Sequence, residues 1–160
     1  MSIERVKKLF GEIGIADRIL EFPTSSATVE MAAEAAGVIP ARIAKTLSFE
    51  LGDRVILVVT AGDAKIDNRK YREQFGGKAR MLSFADVETK IGHAVGGVCP
   101  FAINEGVEVY LDKSMRRFET VFPACGSSNS AIELTCDELE RLSAPAVWVD
   151  VCKDWDENLS

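Results

Sequence analysis

Very little in this sequence could hold a metal or serve as a covalent nucleophile. Its 160 residues include one histidine, His93, and four cysteines, Cys99, Cys125, Cys136 and Cys152, none in a CxxC spacing. A structural zinc site needs four nitrogen or sulfur ligands, so neither a metal nor a disulfide framework is expected. Long apolar runs are also missing. The longest, such as Val55 to Val59, is strand-length, far below the roughly 20 residues of a membrane span. The N-terminal stretch MSIERVKKLF is broken up by charges and lacks the apolar region of a signal peptide. These absences predict a cytoplasmic chain with reduced thiols, no cofactor and no membrane partner. No GxGxxG follows the first strand, which disfavours a simple dinucleotide-binding order. No nucleophile motif surrounds Cys99, Ser127 or His93.

Repeats, linkers and low-complexity segments are absent as well, so the length suits one domain, which buries roughly 70% of its unfolded surface. The net charge of −6 argues against a general nucleic-acid binder, DNA included. Its distribution is uneven. Between Lys65 and Arg80, six basic residues face two acids, whereas from Glu133 to Ser160 eight acids face two basic residues. One side could meet phosphates while the other repels them; a solvated helix and an acidic tail would give the same pattern.

What is present reads as short elements of mixed type. Ser2 is placed to cap a helix carrying Ile3, Val6, Leu9 and Ile13 on one face and ending near Gly14. Arg18 to Phe22 reads as a strand. Thr28 caps a helix over 29–36 that stops at Gly37. One helical turn follows Pro40. Residues 45–51 and 54–60 read as strands paired through Gly52-Asp53. Asp67 caps a basic helix ending at Gly76-Gly77, Met81 lies in a short strand, and Ser83 opens a helix to Ile91. A long glycine-rich loop spans 92–106. Strands are expected at 107–111, 118–122, 130–134 and 146–151. Thr135 to Glu138 matches a capping box, and Pro145 ends the turn after its helix. About eight strands among short helices predict an α/β or α+β domain with a mixed sheet.

Three small, polar or glycine-rich loops stand out: Thr24 to Thr28, Gly92 to Phe101, and Ala124 to Asn129. Loops without side-chain bulk let backbone N–H groups approach a ligand oxygen. Lys45 stands where a strand enters the core, so it must either reach solvent or meet an anion.

Lys45-Thr46-Leu47, the Val55 to Val59 run, Gly62-Asp63, Gly96-Gly97-Val98-Cys99-Pro100-Phe101, Val109-Tyr110-Leu111-Asp112, Gly126-Ser127 and Val147-Trp148-Val149-Asp150 occur in that order. In this sequence of motifs the chain resembles the YbaK/ProX-like (YbaK/EbsC) aminoacyl-tRNA editing family, related to the editing domain of bacterial prolyl-tRNA synthetase. The resemblance covers nearly the whole chain. It implies a single compact domain with a mixed, curved sheet and short helices packed around it, over residues 1–155, with an acidic tail at 156–160. The implied activity is a trans-editing deacylase that hydrolyses the ester of mischarged tRNA, for proline or a similar tRNA carrying a small wrong amino acid. A non-catalytic module binding the tRNA end or a synthetase is the alternative, and a thiol hydrolase using Cys99 a third.

On this reading Lys45, Gly96, Gly97 and Val98 are the catalytic candidates. Thr24, Ser25, Ser26, Thr28, Thr46, Phe101, Gly126 and Ser127 are expected to bind substrate. Lys65, Arg69 and Lys70 are expected to contact tRNA phosphates, with mischarged tRNA as partner and a synthetase as the second. Cys99 stands where the family usually has serine, so no hydroxyl role transfers to it. Thr46 and Ser127 differ from the asparagine and histidine of the alanine-specific branch.

Overall fold

The computed structural model describes residues 2–143 and 145–159. Helix α1 (Ser2–Glu12) buries Val6 and Phe10, four residues apart on one face. It ends at Glu12, two residues before Gly14, and Ile13 is half exposed. Ser2 is itself helical, and its hydroxyl donates to the carbonyl of Gly126 rather than acting as the expected cap. Next come β1 (Ile19–Glu21), α2 (Val29–Ala36), β2 (Ile43–Leu51), β3 (Arg54–Ala61), β4 (Lys65–Ile66), α3 (Asn68–Phe75), β5 (Arg80–Met81) and α4 (Phe84–Ile91). After the long loop lie β6 (Glu108–Asp112), β7 (Thr120–Pro123), β8 (Ser130–Ile132), β9 (Leu134–Thr135), α5 (Cys136–Leu142), β10 (Ala146–Val149) and β11 (Cys152–Lys153).

The caps expected at Thr28, Asp67 and Thr135 form, whereas Ser83 precedes α4 without a side-chain cap bond. Thr28 Oγ1 accepts from Met31 N, and Gly37 closes α2 at φ 73°. Asp67 accepts from the amides of Arg69 and Lys70. Thr135 and Glu138 form a reciprocal capping box on α5. Two expected strands break where their pairing changes. The 130–134 stretch becomes β8, paired with β1, and β9, paired with β7. The 146–151 stretch ends at Val149, because Val151 N turns to donate to the buried Asp112 carboxylate; β11 then pairs with β4. The 118–122 strand starts later, after a 3-10 turn over Lys113–Arg117.

Seven strands form a mixed, curled sheet in the order β10-β6-β3-β2-β7-β9, with β5 also on β2. This is the single α/β domain that the family resemblance implied. Strand β3, with Ile56 to Val59 fully buried, forms its centre. Phe10 packs edge-on against Phe101 with ring centroids 5.1 Å apart, and Tyr71 packs against both Phe49 and Phe75. In the acidic tail, the carbonyl of Asp156 accepts from Arg117 and Leu159 packs on the core, while Ser160 lies outside the described residues. Among the described residues no helix is long and apolar enough to cross a membrane.

Candidate active site

Strand β2 carries an interruption that makes room for a cleft. One edge is fully paired with β3, from Ala44↔Ala61 to Leu51↔Arg54. The other edge is shared by two short strands. Strand β7 pairs in parallel at Ile43↔Phe122 and Ala44↔Pro123, and β5 pairs antiparallel at Phe49↔Met81 and Glu50↔Arg80. Pro123 has no N–H, so Ala44 is the residue whose amide and carbonyl face β7. Alternation along the strand turns Thr46 and Ser48 the same way. The carbonyl of Ser48 accepts from Leu82 N at 3.1 Å. Neither neighbour reaches Thr46. Its N–H and C=O, with the N–H of Ser48, have no main-chain partner among the described residues. Thr46 Oγ1 is buried and unpartnered as well.

These groups line a cleft of about 260 Å³ between α2, α4 and the loops around residues 26–28, 95–98 and 124–131. Its walls are largely apolar, with Val29, Ala32, Ile43, Leu47 and Phe122 among them. The three small-residue loops do meet here. Ser128 O accepts from the amide of Ser26 at 2.6 Å and from the hydroxyls of Ser25 and Ser26. A side chain at Gly97 would come within 2.6 Å of Ser127 N, and one at Gly96 would touch Ala27 and Ser128 at 3.5 Å. Gly97 is glycine because two loops pass each other there.

Lys45 lines the cleft and donates from Nζ to the carbonyl of Ala64 at 2.5 Å. Burial lowers its pKa, opposed by the fields of Asp63 and Glu30. No carboxylate forms an ion pair with it among the described residues. Asp63 is held by Arg117 through two hydrogen bonds, at 2.6 and 2.9 Å. Gly62 leaves no room for a side chain, since a Cβ there would lie 2.1 Å from Pro40 O. Gly62, Asp63 and Ala64 thus fix the turn that receives the ammonium, leaving it available to an anionic or polar ligand.

Of the expected site residues, Ser26, Thr28, Lys45, Thr46, Gly96 and Val98 line the cleft. Gly97 is buried behind it, with its amide donated to Ala94 O at 3.0 Å. Phe101 does not reach the cleft; it is fully buried against Phe10. Gly126 and Ser127 also stand outside the lining. The Gly126 carbonyl accepts from Ser2, and the Ser127 hydroxyl bonds Ser130 at 2.7 Å. Thr24 is exposed and, like Ser25, lies outside the lining. Lys65, Arg69 and Lys70 are also away from it; Lys70 is tied to Asp150 and to Cys152 O, each at 3.0 Å. Residue patterns missed Ser48, Met81, Phe84 and Val95, which pairing and curvature bring to the cleft rather than any local motif.

The thiols are unsuited to nucleophilic work. Cys99 is fully buried, outside the cleft lining, and burial pushes its pKa up to about 12. His93 Nε2 lies 2.6 Å from Phe101 O and 3.5 Å from Cys99 Sγ. The carbonyl takes the ring proton, so the imidazole has no base to offer the thiol; burial also lowers its pKa. Among the described residues no cluster of His, Cys, Asp and Glu could hold a metal.

Comparison with known proteins agrees with this geometry. The uncharacterized protein YwhH of Bacillus subtilis (strain 168) is 59% identical over 157 residues, covering 98% of this chain and 100% of that one. A proline–tRNA ligase of Bacillus cytotoxicus is 24% identical over 103 residues, 64% of this chain but 18% of the ligase. A solved structure described as a candidate trans-editing enzyme for prolyl tRNA synthetase superposes with a TM-score of 0.85 at 28% identity, covering 95% of this chain and 97% of that one. The hypothetical protein APE2540 gives 0.77 at 27% identity, covering 89% and 99%. The family model of the aminoacyl-tRNA editing domain matches residues 24–142, which hold every loop and strand of the cleft. The chain belongs to the aminoacyl-tRNA editing domain family.

Proposed function

We propose that the chain is a trans-editing hydrolase that cleaves the ester of mischarged aminoacyl-tRNA, with tRNA for proline or a similar tRNA carrying a small wrong amino acid as substrate. The observation that carries this reading is the interrupted edge of β2, which puts unpaired backbone donors and an acceptor beside Lys45 in a small apolar cleft. The volume of about 260 Å³ suits a small aminoacyl group, being below the roughly 300–1,000 Å³ of sites for drug-sized ligands. Editing is useful because a methylene difference gives only about 1–3 kcal/mol of discrimination at a single site.

Water, activated by a group of the substrate, attacks the ester carbonyl carbon. The carbonyl electrons move onto oxygen, and the amides of Thr46, Ser48, Gly96 and Val98 are the available donors for that oxyanion. Collapse breaks the bond to the ribose oxygen, which leaves with a proton from the water. Free amino acid and uncharged tRNA result. Lys45 supplies positive charge to the developing oxyanion or to the terminal nucleotide. Lys65, Arg69 and Lys70 serve as more distant phosphate contacts, and the synthetase is a delivering partner.

The cleft lining holds no histidine, carboxylate or thiol, which favours a second reading, a module that binds the tRNA end without hydrolysis. One experiment separates the two. Incubation with a panel of mischarged tRNAs should release amino acid from at least one of them, and Lys45→Ala should slow that release. Tight binding of every charged tRNA without release would establish the binding module instead.

A further inference from the structure

The mouth of the cleft is unusually apolar for a surface open to water. Phe84 is 81% exposed, Met81 59% and Val95 48%, and all three line the cleft. They come from β5, from the first residue of α4 and from the glycine-rich loop, so no single element accounts for their exposure. A phenylalanine left this open contributes almost nothing to the core, although the fold buries other aromatic rings efficiently. Arg80 precedes Met81 on β5 and, with Lys78, lines a separate hollow beside Glu50, Leu51, Gly52 and Gly77 rather than the cleft itself; among the described residues neither forms an ion pair, not even Arg80 with Glu50 across the paired strands. Asp86, on α4 near Phe84, faces Lys90 at 3.9 Å.

We propose that this rim seats the terminal base of the unpaired tRNA 3′ end, stacked on the ring of Phe84 and flanked by Met81 and Val95. Lys78 and Arg80, in that separate hollow, take the phosphates further up the RNA strand. The inference rests on the cleft being the aminoacyl-ester site. An ester held at Thr46 leaves its nucleoside at the opening, within reach of the rim. Such a base is single-stranded, so its face is free to stack, and stacking makes little distinction between bases. Basic side chains beside an aromatic platform are the usual means of holding single-stranded nucleic acid. The rim therefore anchors every tRNA end alike, and the pocket below it discriminates among the amino acids.

The test uses an RNA oligonucleotide ending in cytidine-cytidine-2-aminopurine, uncharged, titrated into the intact protein. Stacking on Phe84 should quench the aminopurine fluorescence. Phe84→Ala should abolish the quench and weaken binding roughly tenfold, in the range of losing one base–aromatic stack. Phe84→Trp should restore both. At this exposure neither substitution disturbs packing, which circular dichroism and the melting temperature would verify. Binding without quenching in the wild type, or equal affinity in Phe84→Ala, would overturn the proposal. So would a dimer seen by sedimentation that Phe84→Ala turns into a monomer, since the rim would then join two copies of the chain. The deacylase reading is judged separately. Phe84-dependent quenching with no release from any charged tRNA leaves the base site standing and removes the deacylase. Release with unchanged KM in Phe84→Ala does the reverse.

Discussion

Lys45 combines two properties that rarely coexist in a lysine. It is half-buried, and its hydrogen bond goes to a carbonyl rather than a carboxylate, so its charge is not neutralised. Lys45→Ala should cut kcat/KM for deacylation at least tenfold, about 1.4 kcal/mol of transition-state stabilisation. Melting should change less than activity does, and unchanged kinetics in a folded variant would remove Lys45 from the mechanism. The pH dependence follows from burial. The folded pKa lies below the ordinary 10.5 of lysine. If the charged form acts, kcat/KM corrected for spontaneous ester hydrolysis should fall on the alkaline side before a free lysine would titrate. The sign for stability is opposite. Folding holds the proton less tightly than the unfolded chain does, so this group's penalty is present below the lowered pKa and is relieved as pH rises through it.

At the scale of elements, the interrupted β2 edge makes a prediction that needs no mutation. The carbonyl of Thr46 is an acceptor facing the cleft, and the α-ammonium of an aminoacyl ester is its natural donor. Acetylating the amino group removes the charge and adds bulk to a cavity of about 260 Å³. N-acetyl-alanyl-tRNA should be hydrolysed at least tenfold more slowly than alanyl-tRNA, provided alanyl-tRNA is a substrate; equal rates would place the amino group elsewhere. A second element, α5, depends on Glu138, which closes the capping box and receives Arg18 at 2.8 and 3.2 Å. Those bonds, the Arg18 contact first, depress its pKa to about 2. A depressed carboxylate pKa contributes stability above the unfolded value near 4.5, and that contribution is lost as pH falls toward 2. Glu138→Gln keeps an acceptor for the Thr135 amide but removes the charge facing Arg18, so it should cost up to about 1 kcal/mol in urea denaturation at pH 7, and distinctly less at pH 3. The helices were legible because α2, α3 and α5 begin at capping side chains and α2, α3 and α4 end at glycine, signals carried within a few residues. Lys45, Thr46 and the meeting of the three loops were legible for similar reasons, through residue type and motif. The two-residue β4 and β11 were not, since each exists only because the other lies beside it. Phe101 is the instructive miss. A motif places it next to the candidate glycine-rich loop, but its ring is buried in the core against Phe10.

For the molecule as a whole, the question is how a chain of net charge −6 reaches a polyanion. The basic stretch around α3 is only partly available. Lys70 ties the helix to Asp150 and the β11 backbone, so reversing it would loosen the fold. Arg69 pairs with Glu73 one turn away, but both side chains are mostly exposed, and such a pair contributes only about 0.2–0.5 kcal/mol. Lys65 is exposed and unpaired among the described residues. Two or three phosphate contacts are therefore expected, giving modest affinity that falls with salt. On the proposed reading, that weakness suits an enzyme that samples many charged tRNAs and receives the correct one from a synthetase. Reversing Lys65 and Arg69 to glutamate, with Lys70 left intact, should raise KM for charged tRNA and flatten its salt dependence. Hydrolysis of a minimal aminoacyl-nucleotide ester, which lacks the distant phosphates, should stay within about twofold of wild type, because neither residue lines the cleft. Equal loss on both substrates would assign the pair to the fold or the cleft. No loss on either would make the stretch an ordinary solvated helix, leaving Lys78 and Arg80, in the hollow beside Glu50 and Gly52, as the remaining source of positive charge.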